Sequence, residues 1–190
     1  MPSFLRWSDS AITYDRSDHP EYVPHLGRCP LIIDPIVGTK LLTKVLMDGG
    51  SGLNIMYSEI LDAKGLDRTC IWPSGTPFHG IVLGKQAVSI GQIDLRVTFG
   101  DCSNFRTETL TFEVVDFDRA YHTILGRPCY AKFMAIPNYT YIKLKMPGPR
   151  GIITVSTSFQ HAYLCDVGNC ECAATVVVSG ELAYIRRDVV

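Results

Sequence analysis

The sequence has little imbalance of charge, no long apolar run and no even set of cysteines, and each shortage narrows what the chain can be. Its 18 Lys+Arg nearly cancel its 19 Asp+Glu, for a formal net charge of −1. Without a basic field there is nothing to hold a phosphate backbone by net charge, so nucleic-acid binding of that kind is not expected. No stretch approaches the ~18 apolar residues that cross a bilayer as a helix. The opening Met1-Pro2-Ser3-Phe4-Leu5-Arg6-Trp7 lacks the apolar core of a signal peptide. The seven cysteines (Cys29, Cys70, Cys102, Cys129, Cys165, Cys170 and Cys172) are an odd count, which speaks against a closed disulfide framework. The expectation is an intracellular, cytoplasmic chain with reduced thiols and no membrane segment.

What is present is the composition of a globular protein. Hydrophobic residues make up 46% and charged residues 19%, enough of the first to close a core and too few of the second for a disordered chain. At 190 residues folding buries roughly 70% of the extended-chain surface, so neither a metal nor a crosslink is needed to hold the fold. No cofactor is implied.

The apolar residues recur with the period of strands. Leu31-Ile32-Ile33 and Ile36-Val37 are β-branched runs separated by Asp34-Pro35, and Leu41 to Met47 is a third run that ends at Asp48. Ile93 to Phe99, Thr107 to Val115 and Tyr139 to Lys145 alternate as half-buried strands do. Ile81-Val82-Leu83 and Ala87-Val88-Ser89-Ile90 flank Gly84-Lys85-Gln86 as a hairpin. Two short helices are predicted. One runs from Ser58, read as an N-cap, to a stop at Gly65; the other begins at Pro128 with Cys129 and Phe133 on one face. The first 27 residues read as an extended, proline-punctuated leader in which Ala11-Ile12-Thr13-Tyr14 forms at most one strand, and 148–190 as a tail or linker. The organisation is therefore an all-β domain over 28–147 with one or two short helices.

The chemistry gathers at one place. An apolar strand delivers Asp48 into Gly49-Gly50-Ser51-Gly52, which sets a carboxylate beside a dry core while glycines let backbone N–H groups come close. Alone, such a turn is common. Its company in chain order is not: a glycine hairpin follows, and then Ile124-Leu125-Gly126 ahead of a short helix.

That order resembles the retropepsin family of aspartic proteases, and more closely the protease region of plant gypsy-type retrotransposon polyproteins. The likeness rests on Val45-Leu46-Met47-Asp48-Gly49-Gly50-Ser51-Gly52-Leu53-Asn54-Ile55, on Gly91 to Gly100, on Tyr121-His122-Thr123-Ile124-Leu125-Gly126-Arg127-Pro128 and on Lys143 to Pro149, and runs from about Ile12 to Val155. It implies a closed acid-protease barrel that supplies half an active site and pairs as a homodimer on a polypeptide substrate, its own polyprotein, in the cytoplasm or a virus-like particle. By the resemblance Asp48 is the catalytic aspartate, with Gly49, Gly50 and Ser51 in its loop. His79, Gly80, Ile81, Val82 and Gly84 belong to a substrate-covering flap, and Ile124, Leu125, Gly126 and Arg127 lie beneath the loop. Only two copies of Asp48 sharing one proton complete the mechanism, because no second loop of this kind follows; Leu164-Cys165-Asp166-Val167-Gly168 reads as an ordinary turn.

Two residues depart from the family pattern. Gly49 stands where the family has Thr or Ser, whose hydroxyl reaches the partner loop, and Gly52-Leu53-Asn54 holds no acid for Arg127 to pair with. They leave a second reading, an inactive or domesticated fragment kept as a dimerising or protein-binding module. His161, Cys165, Cys170 and Cys172 lack the spacing of paired zinc hooks, so no metal is expected. Cys129, Phe133 and Met134 read as core, and Lys143 and Lys145 as the solvent face of a strand.

Overall fold

Strand pairing carries the architecture of the computed structural model, which describes residues 6, 9–22, 27–74, 89–116, 121–168 and 170–171. Among the described residues eleven strands form two sheets. β1 (Ile32–Ile33), β2 (Ile36–Val37), β3 (Lys40–Leu41), β4 (Val45–Met47) and β5 (Ile55–Tyr57) are short. β6 (Ser89–Gly100) and β7 (Phe105–Val115) are long, and β8 (Thr123–Leu125) returns to the centre. The order β1-β4-β8-β5-β7-β6-β2-β3 makes one curled eight-stranded sheet. β9 (Ile136–Asn138), β10 (Lys143–Gly148) and β11 (Gly151–Ser156) make a second, antiparallel one.

The clean alternation of β6 and β7 becomes an antiparallel pair running from Ser89↔Val115 to Gly100↔Phe105, with a bulge between Ser89 and Gly91. At that bulge Gly91 has φ +149°, and a Cβ on it would lie 2.4 Å from the Trp72 carbonyl oxygen, so only glycine fits. The inward residues Ile93, Val97, Phe99, Leu110, Phe112 and Val114 join Leu42, Met47, Met56 and Leu125 in the main core. Each large apolar side chain so buried stabilises the fold by roughly 1.5–3 kcal/mol.

Of the two helices that the sequence predicts, α1 (Ser58–Ala63) follows β5 and α2 (Arg127–Phe133) follows β8. Ser58 does not cap α1: Tyr57 holds that position, and the Ser58 hydroxyl donates instead to Asp116 Oδ1 at 2.9 Å. Gly65, at φ +64°, ends the turn as its place in the sequence implies. α2 buries Cys129 and Phe133, with the Phe133 ring edge-on to Phe99 at 4.7 Å. Its last carbonyls, on Lys132 and Phe133, accept from the Arg106 guanidinium at 2.9 and 2.8 Å, a cation placed where the helix dipole favours one. Met134 is not helical but sits in the left-handed region as the C-cap, at φ 52°.

Several expectations are corrected. The run Leu41–Met47 is broken into β3 and β4 by Lys44, whose φ is +61°. The alternating Tyr139–Lys145 is a turn over 139–142 followed by β10, because Asn138 Oδ1 accepts from the Tyr141 amide at 2.9 Å and closes the turn. Ala11 to Tyr14 form no strand; the leader is tied down by side chains. Tyr14 Oη donates to the Ile136 carbonyl at 2.6 Å, and buried Asp18 accepts from Lys145 at 2.6 Å with Lys143 at 3.7 Å. The two lysines are therefore covered by the leader rather than facing solvent.

β11 pairs with β10 from Lys143↔Ser156 to Gly148↔Gly151, so ordered structure continues past residue 147. Residues 159–168 form a helix, α3, where a turn at Asp166-Val167-Gly168 was expected. Ser158 Oγ accepts from the His161 amide at 3.0 Å, and Ala162 and Cys165 share a face buried against Ile32, Ile55, Tyr57, Val115 and Tyr121. No helix among the described residues is long and apolar enough to cross a membrane.

Candidate active site

β8 lies between β4, with which it is parallel, and β5, with which it is antiparallel. The chain leaving β4 at Met47 must therefore cross the end of β8 before it can continue as β5, and Asp48 to Asn54 make that crossing. The Asp48 amide donates to the Leu125 carbonyl of β8 at 2.9 Å, and the Ser51 amide to the Asp48 carbonyl at 3.1 Å. The Gly50 amide donates to Asp48 Oδ1 at 2.9 Å. Asp48 is half-buried, Gly49 and Gly50 are exposed, and among the described residues no donor reaches Asp48 Oδ2.

Gly126, the residue that follows β8, runs directly beneath the loop. A Cβ there would lie 2.2 Å from the Leu53 carbonyl oxygen and 2.7 Å from that of Ser51, so the loop tolerates no side chain under it. The Gly126 amide donates to Asn54 Oδ1 at 3.0 Å, and Asn54 Nδ2 donates to the Thr111 carbonyl at 3.1 Å. The Arg127 amide donates to the Ser51 carbonyl at 2.9 Å. Thus Ile124, Leu125, Gly126 and Arg127 all lie under or beside the loop, and it is the Arg127 backbone that bonds it; Asn54 is taken by Gly126. Ser51 turns its hydroxyl to the Leu53 carbonyl, at 2.8 Å, within the loop itself.

Behind the loop sits a carboxylate that composition and spacing did not single out. Glu113 on β7 is buried, accepts from Gln92 Nε2 at 3.0 Å and from the Ser89 hydroxyl, and donates its amide to the Asn54 carbonyl at 2.8 Å. The signal available was a charged residue inside the apolar run Phe112-Glu113-Val114-Val115. Also missed were Tyr130 of α2 and Tyr139, whose hydroxyl oxygens lie 3.3 Å apart. Tyr139 Oη lies 3.4 Å from where a Cβ on Gly49 would be. Burial first, then the bond to Tyr139 and the nearby charge of Asp48, raise the Tyr130 phenol well above its ordinary range. No sequence pattern announces this pair, which the fold assembles from two separate segments.

His79, Gly80, Ile81, Val82 and Gly84 lie outside the described residues. Burial pushes the Cys129 thiol up, as expected of a core cysteine. His161 Nε2 is 3.9 Å from Cys165 Sγ and 3.7 Å from Asp34 Oδ1. Among the described residues no group of three His, Cys, Asp or Glu side chains is placed to hold a metal ion.

No family model matches the chain, and no curated protein matches it. Solved structures do. The retroviral protease-like domain of Ddi1 from Leishmania major superposes with a TM-score of 0.51 at 18% identity, over 67% of this chain and 93% of that one. A retropepsin-like aspartic protease from Rickettsia conorii gives a TM-score of 0.42 at 16% identity, over 65% of this chain and 80% of that one. At such identities the likeness speaks of architecture alone, and the architecture is plain: a mostly β chain with a curled sheet and few helices, in the retropepsin-like fold.

Proposed function

We propose that this chain is an aspartic endopeptidase that works as a homodimer in the cytoplasm and processes a retrotransposon polyprotein of the plant gypsy type. The observation that carries the reading is the Asp48 loop. One carboxylate oxygen is held by the Gly50 amide, the loop is pinned to β8 and Gly126, and the second oxygen has no donor among the described residues. Two such carboxylates meeting across a two-fold axis cannot comfortably both ionise, so the pair holds one proton. The ionised partner takes a proton from a shared water, which attacks the scissile carbonyl. The protonated partner polarises that carbonyl and then helps protonate the leaving amine.

The second carboxylate comes from a second copy, since Asp166 lies in α3 rather than in a loop of this kind. His79, Gly80, Ile81, Val82 and Gly84 contact the substrate under the same reading, and no cofactor or metal takes part. Purified protein mixed with a polyprotein fragment near pH 5 should cleave it, and Asp48→Asn should abolish the cleavage. Equal cleavage by the two proteins would end the proposal.

A second reading is favoured by Gly49, which is exposed and carries no hydroxyl. Under it the chain keeps the fold as an inactive dimerising or protein-binding module. Sedimentation over a range of concentrations, run beside the cleavage assay, separates the two: association without Asp48-dependent cleavage supports the module.

A further inference from the structure

The two-carboxylate reading fixes which face of the chain meets a second copy, and that face carries more than the loop. Asp48 must come within a few ångströms of its counterpart, so whatever borders Asp48 on the exposed side borders the two-fold axis. Gly49 is exposed there, and the group set against it is the Tyr139 hydroxyl, 3.4 Å from the point where a residue-49 Cβ would stand. Tyr139 is 41% exposed despite its aromatic ring.

The turn that presents it is braced from both ends. Asn138 Oδ1 accepts from the Tyr141 amide at 2.9 Å, and the His19 and Tyr14 rings pack on Tyr141 at 5.0 and 6.4 Å between centroids. Ile142 closes the turn in the left-handed region, at φ 45°, with its side chain buried. Tyr130, half-buried on α2, holds the Tyr139 hydroxyl from behind with an oxygen–oxygen separation of 3.3 Å. Two hydroxyls offer two protons and only one lies between them, so the pair keeps a donor and several acceptor positions for a further partner.

We infer that Tyr139 is a dimer-interface residue, whose hydroxyl, steadied by Tyr130, makes the hydrogen bond to the loop of a second copy that Gly49 has no side chain to make. The inference rests on the homodimeric reading of Asp48 and adds a residue to it. Because the axis duplicates every contact, each dimer gains two such bonds.

Sedimentation and the concentration dependence of cleavage, on the full chain, test it with three proteins: wild type, Tyr139→Phe, and Tyr139→Phe combined with Gly49→Ser. Tyr139→Phe should raise the dimer Kd about five- to a hundred-fold, the worth of two neutral hydrogen bonds, while the dilute chain keeps the wild-type circular dichroism. Gly49→Ser, whose Cβ meets only ordinary contacts, should recover much of that loss by restoring a hydroxyl at the axis. A Tyr139→Phe chain that dimerises as tightly as wild type overturns the inference. A loss that Gly49→Ser leaves unrepaired assigns Tyr139 to packing and overturns the hydroxyl's role. If the wild type itself neither associates nor cleaves, the homodimeric reading has failed first, a result visible before any variant is made.

Discussion

The Gly126 amide donates to Asn54 Oδ1 at 3.0 Å, and this bond ties the end of the Asp48 loop to the strand the loop crosses. Asn54 is buried and spends its other group on the Thr111 carbonyl. Asn54→Ala would therefore strand one buried donor, the Gly126 amide, and one part-buried acceptor, the Thr111 carbonyl, at once. The buried amide costs about 1–3 kcal/mol unsatisfied and the carbonyl, which water can reach, adds about 1 kcal/mol at most, so the expected cost is about 1–4 kcal/mol in urea unfolding at pH 7. A loss below about 0.5 kcal/mol would mean that water or a shifted loop replaces the bonds.

Two glycines of this site should behave oppositely under the same substitution. A Cβ on Gly126 meets two backbone carbonyl oxygens, at 2.2 and 2.7 Å, and backbone on both sides leaves nothing to yield. Gly49→Ala meets only the Tyr139 hydroxyl, at 3.4 Å. Gly126→Ala should cost about 3 kcal/mol or more, and Gly49→Ala should stay within about 1 kcal/mol of wild type. Thermal unfolding of both variants ranks them directly, and similar melting temperatures would contradict the packing.

The contrast between these glycines also marks how far the sequence could be read. Alternation gave β6 and β7 and the apolar run gave β4, because a strand with one face buried must repeat every second residue. The ordered blocks around Asp48 and Ile124-Leu125-Gly126 brought the loop and its support together. What stayed hidden was set by tertiary contact. Lys143 and Lys145 carry the pattern of a solvent face, yet Asp18, more than a hundred residues away in the chain, covers them. Glu113 interrupts an apolar run without saying that Ser89 and Gln92 will receive it. Ala162 and Cys165 make a helical face only because a cluster from four other segments waits for it. Tyr139 reaches Gly49 from a turn whose residues alternate like a strand.

The leader should be an acid-labile clamp. The Lys145 hydrogen bond, together with bonding by the Asp15 amide and the charge of Lys143, holds the Asp18 carboxyl below its usual range. A folded pKa beneath the unfolded value means the contribution is complete above about pH 4, the ordinary carboxylate value, and fades as pH falls toward the folded one. Asp18→Asn should cost about 1.5–3 kcal/mol at pH 7, the range for a hydrogen bond to a charged group. The gap between mutant and wild type should then narrow as pH falls below about 4. A gap that does not change with pH would show that the bond contributes through shape rather than charge.

A separate and higher window belongs to His122. Burial lowers its pKa first, and the charges of Lys64 and Lys44 push the same way, while Asp34 and a hydrogen bond to the Thr43 backbone pull it back. Its Nδ1 is buried without a hydrogen-bond partner among the described residues. The folded state thus prefers the neutral ring, so stability is full above about pH 6.5, the unfolded value, and declines as pH falls through the lower folded one. The limiting slope for one such group is about 1.4 kcal/mol per pH unit. Wild type should lose stability between about pH 6.5 and pH 5, where Asp18 and the other carboxylates with lowered pKa values are still ionised. His122→Phe removes the titrating group and the unpaired nitrogen together, so its stability should be nearly flat across that interval. Urea midpoints at half-unit steps of pH distinguish the two curves, and a mutant that declines as steeply as wild type would place the acid sensitivity at another group.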